Sequence, residues 1–66
     1  MAIWKDTKLE YSDGKPIYKG LNAFNGISDD DVSWRIYKYT WDGDDCTRIE
    51  GPIIGSWTGR ASLNWA

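Results

Sequence analysis

Histidine is absent from this chain of 66 residues, cysteine occurs once, as Cys46, and proline only twice. Without histidine the commonest general base at neutral pH is missing. Without a second cysteine no internal disulfide can close, and no zinc set of the usual cysteine and histidine kind can be assembled. A chain this short buries only about 60% of the surface its unfolded form exposes, and small domains usually offset that deficit with disulfides, a metal or a partner subunit. The first two are excluded here, which leaves association.

Other absences narrow the partners. Eight basic against ten acidic residues leave a net charge of −2, so the chain lacks the basic excess that counters a phosphate backbone, and nucleic acid is not an expected partner. No stretch has the length and apolarity to span a membrane, so no membrane partner is expected either. One free thiol and no apolar leader after Met1 lead to the expectation of a chain made and kept in a reducing compartment.

What the chain does have is aromatic residues: five tryptophans, four tyrosines and one phenylalanine. Such rings supply large contact area at low entropy cost, in a core or at an interface. Residues 1–15 scatter Ile3, Trp4, Leu9 and Tyr11 among charges without a sustained period, and read as an extended arm before a domain over 16–66. Asp13-Gly14 signals a turn, and Pro16 opens a first or edge strand through Ile17, Tyr18 and Leu21. Residues 22–31 are turn-rich, with Phe24 and Ile27 as possible anchors.

The run VSWRIYKYTW over 32–41 is rich in β-branched and aromatic residues and is uninterrupted by glycine or proline, so it reads as the central strand. Asp42-Gly43 and the strand-like CTRIE after it make 32–50 a hairpin. A two-residue loop at Asp42-Gly43 sets Ile36 opposite Ile49, Arg35 opposite Glu50 and Tyr37 opposite Arg48. That register assigns Trp34, Ile36 and Ile49 to a core, to which Trp57 and Leu63 are added. Tyr37, Tyr39 and Trp41, with Cys46 and Arg48, fall on the other face, where they form either a second core layer or a protein interface. Residues 60–65 alternate weakly and read as a last strand. No window shows a helical period, so the expected class is all-β: a small antiparallel sheet of about four strands.

Taken together, the segments WRIYKYTWDG, TRIEGP and SWTGRASLNW resemble a short module that recurs in small proteins of tailed bacteriophages. The resemblance rests on Trp34, Ile36 and Lys38, on the turn Trp41-Asp42-Gly43, and on Trp57 followed by Arg60-Ala61-Ser62-Leu63, and it covers roughly residues 17–65. It implies a virion or accessory protein attached to a head, neck or tail, made in the host cytoplasm.

The chemistry-bearing residues give little support to catalysis. Asp29, Asp30 and Asp31, and the group Asp42, Asp44 and Asp45, have oxygens suited to calcium, but neither fits the EF-hand spacing, and both read as solvated turns. Cys46 has no histidine to act as its base, and reads as a small buried apolar group. Carboxylate pairs for glycoside hydrolysis need a cleft that so small a domain hardly encloses. No cofactor, no metal and no enzyme activity are therefore expected. The expectation is a structural component of a tailed-phage virion that binds other virion proteins and forms a homo-oligomer. A capsid decoration or cement protein is the first choice, and a tail, neck or fibre-attachment part the alternative. The surface set is Trp4, Tyr11, Tyr37, Tyr39, Trp41 and Arg48, with the arm gaining order along a neighbouring subunit. The reading from another class is a carbohydrate-binding module that stacks Trp41 or Trp57 on a sugar ring.

Overall fold

Asp13 and Gly14 both take positive φ, 52° and 76°, the combination of a two-residue type I′ turn whose twist suits the strands it joins. They connect β1 (Asp6–Ser12) to β2 (Lys15–Asn22), and the chain continues through β3 (Trp34–Asp42) and β4 (Asp45–Gly55) to a 3-10 turn at Arg60–Ser62. This computed structural model describes residues 4–65. The four strands form one antiparallel sheet in the order β1-β2-β3-β4, so the fold is all-β around the expected central hairpin.

Three elements differ from the sequence reading. The described part of the segment 1–15 is not a free arm. Asp6–Ser12 is the edge strand β1, held in register from Asp6 opposite Asn22 to Ser12 opposite Lys15. The charges that masked its strand character sit at alternate positions, Asp6, Lys8 and Glu10, and turn toward polar partners on one face. With β1 outside it, the strand opened by Pro16 becomes interior, and Pro16 falls where the β1–β2 register shifts, a place where a missing N–H costs little. Residues 60–65 form no strand: Arg60–Ser62 is a 3-10 turn, and Trp65 N donates to Leu63 O.

The third difference is the register of β3 and β4. The loop is Gly43-Asp44, one residue later than expected, with Asp42 opposite Asp45 and Gly43 at φ 60° in the type II′ manner. Two further shifts follow along β4, each adding one residue to that strand: one between Thr40 and Trp41, one between Ile36 and Lys38. Ile36 therefore faces Ile53, Arg35 faces Ile54, Lys38 faces Glu50 and Tyr39 faces Ile49. A bulge reverses which residues share a face. Gly51, at φ 112°, occupies the second bulge, where a Cβ would stand 2.5 Å from the Ile36 carbonyl oxygen.

The main core lies on one face, while Leu21, 8% exposed, is buried on the other. Trp34, Ile36 and Trp57 are buried together, with Tyr18, Ile27, Leu63 and Trp65 packed against them. Ile27 comes from the loop between β2 and β3, and Trp57, Leu63 and Trp65 come from the C-terminal segment, which folds back across the sheet. The approach depends on Gly20 in β2, where a Cβ would lie 2.7 Å from Trp57 Cε3 and 3.3 Å from Trp34 Cε3. Rigid rings cannot yield as a flexible side-chain tip would. Gly20→Ala should therefore cost about 1–3 kcal/mol by overpacking, read as a lower thermal midpoint; an unchanged midpoint would show that Trp57 does not rest on this strand.

Candidate functional site

Alternation along the strands divides the sheet into a covered face and an open face. The covered face carries Asp6, Lys8 and Glu10 from β1, Tyr18 and Gly20 from β2, Trp34, Ile36 and Lys38 from β3, and Glu50 and Ile53 from β4. Arg60 is the hub of its cover. Its Nε donates to Glu10 Oε1 at 2.7 Å and its Nη1 to Trp57 O at 2.8 Å, while the guanidinium lies 4.6 Å from the Trp57 ring centroid and 5.7 Å from that of Tyr18. Trp65 Nε1 donates to Arg60 O, and its ring contacts Tyr18 and lies beneath Lys38. At the other end Lys8 reaches both the Trp34 ring and Asp29. A planar guanidinium that stacks and donates at once suits such a position better than an ammonium would.

The open face has no such cover among the described residues. It presents Leu9 and Tyr11 from β1, Lys19 and Leu21 from β2, Arg35, Tyr37, Tyr39 and Trp41 from β3, and Ile49 and Ile54 from β4. Leu9, Tyr11, Ile49 and Ile54 stand exposed, whereas Tyr37, Tyr39 and Trp41 are half-buried and Leu21 is buried. Trp4 lies at one end with the Arg35 guanidinium 5.1 Å from its ring centroid. At the other end Trp41 Nε1 donates to Pro16 O at 2.7 Å, which fixes the indole across β2. A groove lined by Ile17, Tyr18, Lys38, Tyr39, Thr40 and Trp41 runs beside it.

Of the residues expected in the core, Trp34, Ile36 and Trp57 are buried and Leu63 packs on them. Ile49 is the exception: it is 60% exposed on the open face, because the bulge turns it toward Tyr39. Ile53, three residues past the expected end of the hairpin, takes the place opposite Ile36. Of the expected surface set, Trp4, Tyr11, Tyr37, Tyr39 and Trp41 come together on the open face. Arg48 does not join them, since it lies opposite Thr40 on the other side and pairs with Glu50 at 3.8 Å. Trp57, buried beneath Arg60, has no free ring face for a sugar, which leaves that role only to Trp41. Cys46 is exposed rather than buried. Sequence reasoning named Arg60 only as part of the pattern Trp57 to Leu63 and gave its side chain no role; the signal was a lone arginine three residues after a tryptophan.

Charge is segregated between the faces. Asp6, Glu10 and Glu50 belong to the covered face, and the other seven acidic residues lie in turns, loops or at strand ends. The open face carries Lys19 and Arg35 and no carboxylate. Among the described residues no group of three potential metal ligands gathers, and no helix is long and apolar enough to cross a membrane. No protein-family model, curated protein sequence or solved structure matches this chain.

The face assignment makes two isoleucines, both strand residues, behave differently. Ile49→Ser should change folding stability by less than about 0.5 kcal/mol, as exposed substitutions do, whereas Ile36→Ser should cost more than about 3 kcal/mol through a cavity and an unsatisfied hydroxyl. Urea denaturation of the two variants distinguishes them; comparable losses would mean that the register is wrong.

Proposed function

We propose that this protein is a structural component of a tailed-phage particle and works by binding other protein subunits through the open face of its sheet. The observation that carries the reading is the asymmetry of the two faces. The chain spends its C-terminal segment sealing one of them and leaves the other with tyrosine, tryptophan and isoleucine in water. Contiguous exposed apolar surface of this kind marks interaction sites in small soluble proteins, and tyrosine and tryptophan are enriched at the centres of interfaces. The molecule extends 34 × 27 × 20 Å, so its broad side is of the order of the roughly 800 Å² per partner that a standard interface buries.

The mechanism is passive. A sheet held by three strand pairings supplies a surface on which side chains are already fixed, Trp41 by its bond to Pro16 and Trp4 by its stack with Arg35, so little freedom is lost on binding. The described part of the former arm contributes as strand β1, through Leu9 and Tyr11, rather than by ordering along a neighbour. A capsid decoration or cement protein fits this surface best, because such a part needs only a contact face; a tail, neck or fibre-attachment part needs the same.

Mass spectrometry of purified particles of the encoding phage should find many copies of the chain. Particles made with Tyr39→Ser and Ile49→Ser combined should retain less than about a tenth of those copies, a loss of at least about 1.4 kcal/mol in binding, while the isolated variant keeps its circular dichroism and melting curve. Absence of the wild-type chain from particles, or full incorporation of the double variant, would overturn the reading.

A further inference from the structure

The loop between β2 and β3 combines two features seldom found together: it is firmly held, yet it presents large apolar side chains to water. Phe24 is 67% and Val32 70% exposed. Their loop is fixed at five points. Phe24 N donates to Asn22 Oδ1, Trp34 Nε1 donates to Ser28 O, and Thr58 N donates to Asp29 O. Asp31 N donates to Ser28 O, and Ser33 N to Asp31 Oδ1. Asn22, wholly buried, anchors the start of the loop by donating from Nδ2 to Ser33 Oγ. Between the two apolar residues in sequence lie Asp29, which pairs with Lys8, and Asp30 and Asp31, so the held loop presents exposed apolar side chains and carboxylates.

Its complement is the open face, where Tyr37, Tyr39 and Ile49 surround no carboxylate and where, among the described residues, neither Lys19 nor Arg35 makes an ion pair. Resting on the reading of that face as a protein-binding surface, we infer that its occupant is a second copy of this chain, which inserts its β2–β3 loop, with Phe24 and Val32 against the aromatic residues and the aspartates toward Lys19 and Arg35.

Charge decides this arrangement over the symmetric ones. Two open faces packed together would bring two Lys19 and two Arg35 side chains into one interface with no carboxylate, and uncompensated buried charge is costly. Two loops packed together would set Asp30 and Asp31 of each copy against one another, with only Asp29 offset by Lys8. Only loop against face pairs opposite signs and covers apolar surface on both partners. Such a contact uses different patches on the two molecules, so each bound copy still offers one free loop and one free face. The product is a ring if the rotation closes and a filament if it does not.

The test is sedimentation velocity of the isolated protein over a concentration series at low and high salt. The wild type should associate beyond a dimer, more weakly at high salt because the steering charges are exposed. Lys19→Glu with Ile49→Ser disables the face, and Phe24→Ser with Asp30→Lys disables the loop. All four sites lie outside the buried core, and circular dichroism checks the fold. Each double variant alone should associate at least about tenfold more weakly than the wild type. An equimolar mixture should restore a capped one-to-one dimer, because each variant retains the surface the other lacks. A wild type that stays monomeric throughout, a loop variant that still dimerises, or a mixture that fails to restore the dimer would overturn the inference. If the isolated chain stays monomeric while the face variant is still lost from particles, self-association falls and the virion role stands. If the chain associates as described but is absent from particles, the virion role falls and the contact stands.

Discussion

The fold depends on one close approach: the Trp57 ring resting on the backbone of β2 at Gly20. Among the described residues the four-stranded sheet has no second layer of regular structure set against it, and a lone sheet face cannot exclude water by itself. The C-terminal segment supplies the missing layer with Trp57, Leu63 and Trp65, and the glycine lets the indole come close enough to Trp34 to bury both. Arg60 then fastens the segment to the far edge of the sheet through Glu10. Its hydrogen bonds and its stacking are made in the same place, so loss of the arginine would release packing as well as charge.

This solution determines what the other face can be. Among the described residues, both the C-terminal segment and Ile27 of the β2–β3 loop lie on the side of Trp34 and Ile36. The aromatic residues of alternate parity on β3 are therefore left half-exposed, with the Trp4 stack on Arg35 and the bond from Trp41 to Pro16 beside them. The acidic residues of the strands all turn to the covered side or to strand ends, so the open face gains a positive character against the net negative charge of the chain. The exposed apolar residues of this face follow from where the C-terminal segment lies, and its local positive charge from where the carboxylates lie.

Much of this was legible in the sequence, and the failures have physical reasons. The β-branched and aromatic run of β3, the glycine turns and the lack of any helical period pointed to an antiparallel sheet. The alternation of Trp34 and Ile36 with Tyr37 and Tyr39 separated the two faces correctly along that strand. Ile49 falls on the other side because the bulge at Thr47, between the turn and Ile49, leaves no mark that a pairing argument can read; Gly51-Pro52 reads as the end of a strand that in fact continues to Gly55. β1 was hidden because its inward residues are charged, and their partners, Arg60 and Asp29, are distant in sequence. The 3-10 turn at Arg60 was mistaken for a strand because three residues are too few to show a period.

Hydroxyl-radical footprinting of the dilute protein, read residue by residue by mass spectrometry, tests the division into a sealed and an open face most directly. Leu9, Tyr11, Ile49 and Ile54 should oxidise readily, while Trp34, Ile36 and Trp57 stay protected despite the high intrinsic reactivity of tryptophan. Oxidation of Trp57 as fast as of Tyr11 in the folded protein would mean that the C-terminal segment does not close the sheet, and would contradict the account.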